Sequence, residues 1–86
     1  MRSAAEVAGV EIHLFAAARA AVGSAVVTAD PGPLGGILDT IEQEHPGFAA
    51  VRPRCSYLVD EVAVHDQGVA VSAGSRVDVL PPFAGG

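Results

Sequence analysis

Two stretches of the chain alternate between apolar and polar residues, one near each end of the sequence. In residues 10–16 every even position is apolar, and in residues 76–80 the apolar valines occupy the odd positions. A period of two is typical of a strand that buries one of its faces. We therefore predict a first strand at 10–16 and a last strand at 76–80.

Residues 34–45 have the periodicity of a helix. Their apolar residues recur three and four positions apart, which places them along one side of a helix. Gly32 and Pro33 suit its N-terminus, as cap and as first helical position, and Pro46 followed by Gly47 suits its end. The apolar stripe consists of Leu34, Ile37, Leu38 and Ile41.

The remaining segments are shorter, and they complete an α+β architecture. We predict a short helical or irregular turn that ends at Gly23, and a linker whose apolar anchor is Phe48. Strands on both sides of a single main helix indicate a mixed sheet of four to five strands that curls over that helix. The first and last strands are expected to be its central, parallel pair, because the connection between them is long enough to contain the helix. The other predicted strands are 24–29, 55–59 and 62–64, with a marginal one at 69–71.

Composition and charge exclude several classes of function. The chain has 86 residues, 50% of them hydrophobic, no lysine and a net charge of −5, which disfavours nucleic acid and anionic membranes as partners. Charged residues interrupt every apolar run, so we expect neither an export signal nor a membrane span. The one cysteine, Cys55, allows no internal disulfide, in keeping with the cytoplasm.

Side chains with catalytic potential are scattered. Three histidines lie on a predicted strand, a helix end and a turn, where they do not converge as metal ligands must. We therefore expect no metal site and no hydrolase triad. Cys55 is interpreted as a small buried hydrophobe rather than a persulfide relay.

The strongest functional signal is at residues 81–86, directly after the last strand. The sequence there is Pro81-Pro82-Phe83-Ala84-Gly85-Gly86. Two prolines hold the base of this tail extended, and two glycines without a Cβ form a thin, flexible end. We expect that end to present the Gly86 carboxylate to a narrow active site of another protein. The alternative is a frayed terminus without a role.

This order of elements, with this ending, resembles the ubiquitin-like β-grasp sulfur carriers of the MoaD/ThiS family. Within that family, residues 80–86 are similar to the MoaD-type small subunit of molybdopterin synthase. Residues 14–23, with Arg19 in the turn after the first strand, match as well, and so do the helix closed by Pro46 and the turn at 73–77. Asp60-Glu61 and Ser75-Arg76 depart from the family's usual turns. The resemblance spans residues 10–86 and implies a β-grasp domain at 9–80 with a tail at 81–86, while the small, polar residues 1–8 are interpreted as a loose lead-in.

The resemblance also implies a chemical cycle in which this chain is a carrier and not an enzyme. An ATP-dependent adenylyltransferase of the ubiquitin-activating type would adenylate Gly86, and sulfur from a persulfide donor would replace AMP. The resulting thiocarboxylate would enter the large, MoaE-type subunit of molybdopterin synthase and give its sulfur to cyclic pyranopterin monophosphate. The chain itself would hold no cofactor tightly. Two alternatives stay open: a carrier for cysteine or thiamine synthesis or a protein modifier, and an interaction module with an inert tail.

Three residues outside the tail are candidates for partner binding. Alternation places Phe15 and Leu80 on the faces of their strands opposite the core. If those strands are neighbours, the two side chains form an exposed apolar pair beside the tail, which suggests a partner surface. Arg19 matches the family's arginine and is a candidate to pair with a partner's acid.

Overall fold

The computed structural model describes residues 9–82, which form seven strands, three helices and one 3₁₀ turn. Strand β1 pairs with the strand that follows it and also with the last strand, so the two ends of the described chain meet in the sheet. The elements are β1 Val10–Leu14, α1 Ala16–Val22, β2 Val26–Ala29, β3 Gly32–Pro33, α2 Leu34–Glu44, α3 Phe48–Val51, a 3₁₀ turn Arg52–Arg54, β4 Ser56–Val59, β5 Val62–Val64, β6 Ala70–Val71 and β7 Arg76–Leu80.

Five of the strands form one mixed sheet in the order β2-β1-β7-β4-β5. The β1–β7 pair at its centre is parallel, with Ile12 opposite Val77 and Leu14 opposite Val79. The other three pairings are antiparallel. The predicted mixed sheet with a central parallel pair is therefore confirmed. A separate two-stranded ribbon joins β3 to β6 beside the start of α2.

The core lies between one face of this sheet and α2. The even positions of β1 and the two valines of β7 point inward, and the predicted stripe of α2 is buried against them. The apolar faces predicted for the strands from their alternation and for the helix from its period therefore pack against each other in the core. Besides these residues, the core contains Ala18, Val22, Phe48, Tyr57 and Val71.

The segment 48–54 is helical, and its prediction as a linker was wrong. Phe48 is completely buried, and it begins a four-residue helix that continues into the 3₁₀ turn. The Phe48 amide donates to the His45 carbonyl at 2.9 Å, and the Ala49 amide donates to the Pro46 carbonyl at 3.1 Å. Burial of one large ring fixes this segment, although it is too short for a helical period to show in the sequence.

Several boundaries differ by one or two residues from those predicted. Strand β1 ends at Leu14 rather than at residue 16, because Ala16 has a φ of +48° and turns the chain into α1. Pro33 is the N-cap of α2 and not its first residue. Gly23, in the left-handed conformation with a φ of +84°, ends α1 as predicted. Within residues 9–82, no helix has the length and apolar character to cross a membrane.

Candidate functional site

The chain leaves the sheet at the end of β7, the central strand next to β1. Leu80 is half-buried, Pro81 is buried and Pro82 is exposed, so the backbone emerges from the domain between the two prolines. The fixed φ of proline keeps this exit extended. The tail residues Phe83, Ala84, Gly85 and Gly86, which carry the predicted reacting group, lie outside the described residues.

Phe15 and Leu80 lie next to each other at this exit. Leu14 is opposite Val79 in the parallel pair, and the Phe15 amide donates to the Val79 carbonyl at 3.3 Å. The next pair along the two strands is therefore Phe15 and Leu80, and alternation directs both to the sheet face away from α2, which we call the outer face. Both side chains are half-buried rather than fully exposed.

More apolar side chains share the outer face. One row runs across the sheet from Val26 through His13 and Asp78 to Leu58, because these residues are opposite one another in successive strands. Val26, on the edge strand β2, is 45% exposed, and Leu58 is half-buried. The outer face thus carries apolar side chains on both sides of a polar centre, and the exposed ones, such as Val26, are available for contact with another protein.

The polar centre of the outer face consists of two hydrogen-bonded pairs of side chains. Asp78 is only 6% exposed, and its carboxylate accepts a hydrogen bond from Nε of Arg76 at 2.7 Å. In the neighbouring strand, Nε2 of His13 lies 3.0 Å from Oε1 of Glu11. Alternation predicted Asp78 on the polar face but not its burial, which follows from its place on a central strand with neighbours on both sides.

Arg19 lies on the exposed side of the last turn of α1. Among residues 9–82 it takes part in no salt bridge, whereas Arg52 bonds to Asp39 at 2.8 Å and to Glu42 at 3.2 Å. Arg52 therefore fastens α2 to the 3₁₀ turn, and Arg19 presents its charge to solvent. A cation at this position is available to an acidic partner, and it also suits the negative end of the helix dipole.

Cys55 is half-buried beside the end of α3, not fully buried as expected from the sequence. Its Sγ donates to the Val51 carbonyl at 3.4 Å, and burial raises the pKa of the thiol. A raised pKa disfavours the thiolate, the form that attacks sulfur or carbon. No group of three or more potential metal ligands occurs within the described part of the chain.

Comparison with known proteins assigns this architecture. The model of the ThiS family matches residues 12–86, and no curated protein sequence matches the chain. The crystal structure of SAMP1 from Haloferax volcanii is 27% identical, with a TM-score of 0.79 over 91% of this chain and 99% of that one. The small archaeal modifier protein 1 of Methanosarcina acetivorans is 20% identical, with a TM-score of 0.76 over 92% and 97% of the two chains.

A third similar structure is a protein–protein complex. It contains subunits 1 and 2 of the molybdopterin-converting factor from Helicobacter pylori. The matching chain is 20% identical, with a TM-score of 0.68 over 91% of this chain and 99% of that one. The same β-grasp fold thus occurs both in archaeal modifier proteins and in a complex of this converting factor.

Proposed function

The chain belongs to the ThiS family of ubiquitin-like sulfur carriers, and on that premise we propose that it is the sulfur-carrying small subunit of molybdopterin synthase. The family match extends through Gly86, the residue to which the chemistry is assigned. The proposal has three parts: Gly86 carries the sulfur, the tail delivers it, and the outer face docks the partner.

The observation that supports the proposal is the place of the strand from which the tail starts. The base of the tail is the central strand β7, held by parallel pairing with β1 and antiparallel pairing with β4. A base buried in the sheet fixes the direction of the exit. The four residues after Pro82 have a contour length of at most about 14 Å, enough to enter a partner's tunnel while the outer face lies against that partner.

The chemistry assigned to Gly86 requires only a free carboxylate on this chain. A carboxylate oxygen attacks the α-phosphorus of ATP, releases pyrophosphate and forms an acyl adenylate with an electrophilic carbonyl. A partner's persulfide attacks that carbonyl and expels AMP, and a thiol then cleaves the sulfur–sulfur bond to leave a thiocarboxylate. The thiocarboxylate is the nucleophile that gives sulfur to the pterin precursor. Base, metal and oxyanion stabilisation come from the partners.

The large subunit of molybdopterin synthase is the proposed receiving partner. The Helicobacter pylori complex pairs a chain of this fold with a second subunit, which supports the same arrangement here. Phe15 and Leu80 lie at the base of the tail and would make the first apolar contact. Arg19, exposed on α1, would face an acid of the partner.

A protein-modifying role is the second candidate, favoured by the 27% identity to SAMP1. The two roles share the adenylated Gly86 and differ in the nucleophile that follows. A modifier is attacked by a lysine amine of another protein and forms an amide, whereas a sulfur carrier is attacked by a persulfide. The product on Gly86 therefore separates the two roles.

The test is a mass measurement followed by an assay. We expect the chain purified from its host to contain a fraction in which one oxygen of Gly86 is replaced by sulfur. That fraction, mixed with the host's large subunit, should convert cyclic pyranopterin monophosphate. A variant with one alanine added after Gly86 should fold normally and give no conversion. Gly86 found only in amide linkage to other proteins would establish the modifier role instead.

A further inference from the structure

A groove lies beside the exit of the tail, on the helical side of the domain. It has a volume of about 280 Å³ and is lined by Ala17, Ala50, Val51, Arg54, Pro81 and Pro82. We call it the tail-root groove. None of these residues belongs to the outer face, so the groove is a second surface that borders the same exit.

The lining of the tail-root groove is apolar apart from one charge. Two alanines and two prolines supply small, rigid walls, and packing of α1 against α3 holds the two alanines in place. Small side chains on two packed helices leave room for one larger apolar side chain from outside. The groove is therefore shaped for an aliphatic or aromatic group.

Arg54 gives the groove its electrostatic character. It is exposed, and among residues 9–82 it makes no salt bridge, whereas Arg52 and Arg76 are each bonded to carboxylates. The chain as a whole carries a net charge of −5. A positive charge left unmatched at the rim of an apolar groove, on an acidic protein, is complementary to a carboxylate.

We propose that the tail-root groove binds a partner segment in which an apolar side chain is followed closely by an Asp or Glu. The apolar side chain fills the space between Ala17 and Ala50, and the carboxylate pairs with Arg54. A guanidinium is suited to this role because it binds a carboxylate through two parallel hydrogen bonds. This inference rests on the proposed function for the identity of the partner, namely the large subunit that receives the tail.

The groove and the outer face would hold the partner from two sides. Phe15 and Leu80 border the exit on the outer face, while Ala17 and Pro81, one or two residues further along the chain, border it on the other side. A partner that occupies both surfaces encloses the base of the tail. Such enclosure excludes water from the tail and fixes its direction, which a single flat contact does not achieve.

The first experiment is a calorimetric titration of the full chain with the host's large subunit. Ala50→Trp fills the groove and Arg54→Glu reverses its charge. We expect each substitution to raise the dissociation constant at least tenfold. Ala49→Trp is the matched control, since Ala49 is exposed on the same helix and does not line the groove. It should bind within about twofold of the wild type. Arg54→Lys keeps the charge but not the two parallel hydrogen bonds, so its dissociation constant should lie between those of the wild type and Arg54→Glu.

A second experiment tests the groove without the large subunit. The blocked peptide acetyl-Leu-Asp-Glu-amide is titrated into the ¹⁵N-labelled chain, with acetyl-Leu-Lys-Lys-amide as control. We expect the amides of Ala17, Ala50 and Arg54 to shift with the acidic peptide only, and the shifts to disappear in Ala50→Trp. If the large subunit does not bind but the peptide does, the groove proposal stands and the proposed pathway fails.

Two results would overturn the inference. One is that neither probe responds to Ala50→Trp. The other is that Phe83→Ala alone, with no probe present, moves the amides of Ala17 and Ala50. The chain's own tail would then occupy the groove, and a partner's side chain would not.

Discussion

At the scale of single residues, Tyr57 is a buried core residue whose ionisation depends on folding. Its hydroxyl donates to the Arg52 carbonyl at 3.2 Å, and the side chain is buried on β4. Burial raises the pKa of Tyr57 to about 12, with smaller effects from Cys55 and Arg52. The phenol therefore stays neutral in the folded chain at pH values where it ionises in the unfolded one.

This raised pKa predicts a loss of stability at alkaline pH. Below pH 10 the tyrosine is neutral in both states; between about 10 and 12 the unfolded state releases the proton first, so the free energy of unfolding falls as pH rises. Tyr57→Phe should remove most of that decline. It should also cost about 1 kcal/mol at neutral pH for the lost hydrogen bond. Urea unfolding of both proteins from pH 7 to 12 measures the two effects.

Few other side chains of this protein titrate at alkaline pH, so the effect of Tyr57 can be measured separately. The chain has no lysine and only one tyrosine, so Cys55 is the other side chain that titrates in the alkaline range. A Cys55→Ala variant isolates its contribution. Equal declines above pH 10 in the wild type and in Tyr57→Phe would contradict the assignment to Tyr57.

The residue scale also shows where sequence reasoning reaches its limit. The inward positions of β1 and β7 could be predicted, because a period of two needs no knowledge of neighbours. The burial of Asp78 and the helical conformation of residues 48–54 could not, because both depend on side chains far away in the sequence. The salt bridges of Arg52 to α2 are hidden for the same reason.

At the scale of elements, the turn from β1 into α1 contains a strained residue. Ala16 has a φ of +48° and is exposed. A non-glycine residue in the left-handed region costs roughly 1–2 kcal/mol, and glycine there avoids most of that cost. Because glycine also loses about 0.5–1 kcal/mol of backbone entropy, we expect Ala16→Gly to stabilise the fold by about 0.5–1 kcal/mol.

The matched control for this prediction is Ala20→Gly in the same helix. Ala20 is exposed and has no positive φ, so glycine there should destabilise by about 1 kcal/mol. Thermal unfolding of the two variants should give shifts of opposite sign. Destabilisation by both variants would contradict the prediction, because it would mean that the positive φ of Ala16 costs the folded chain little.

Elements were predictable where a pattern or a turn residue specified them. The apolar stripe was sufficient to predict α2, and two short apolar runs predicted strands β4 and β5. Gly23 predicted where α1 ends, although the segment before it could have been helical or irregular. The turn between β4 and β5 was harder to predict, because Asp60 and Glu61 both have positive φ without being Asn or Gly. The carboxylate of Asp60 compensates, accepting hydrogen bonds from the Arg76 amide at 2.9 Å and the Ser75 hydroxyl at 2.8 Å. The hydrogen bond from the Arg76 amide, followed by the one from the Ser75 hydroxyl, lowers the pKa of Asp60.

At the scale of the whole molecule, the fold brings three features to one exit. The parallel pair β1–β7 places Phe15 beside Leu80, the helices α1 and α3 form the tail-root groove, and the tail leaves between them. The pairing of first and last strands was predictable from the chain's order of elements. The groove was not, since three of its six lining residues, Ala50, Val51 and Arg54, belong to a segment interpreted as a linker.

This convergence predicts that binding energy is concentrated at the exit and not spread over the outer face. Phe15→Ala should weaken binding of the large subunit by about 1–2 kcal/mol, or roughly 5–30-fold in the dissociation constant. Val26→Ala removes an apolar group from the same face on the edge strand β2, which β1 separates from β7, and should cost less than about 0.5 kcal/mol. Urea unfolding of each variant separates lost docking from lost stability, since Phe15 is also the N-cap residue of α1. Equal weakening by the two substitutions would contradict this prediction. It would mean that the binding energy is spread over the whole outer face and is not concentrated at the base of the tail.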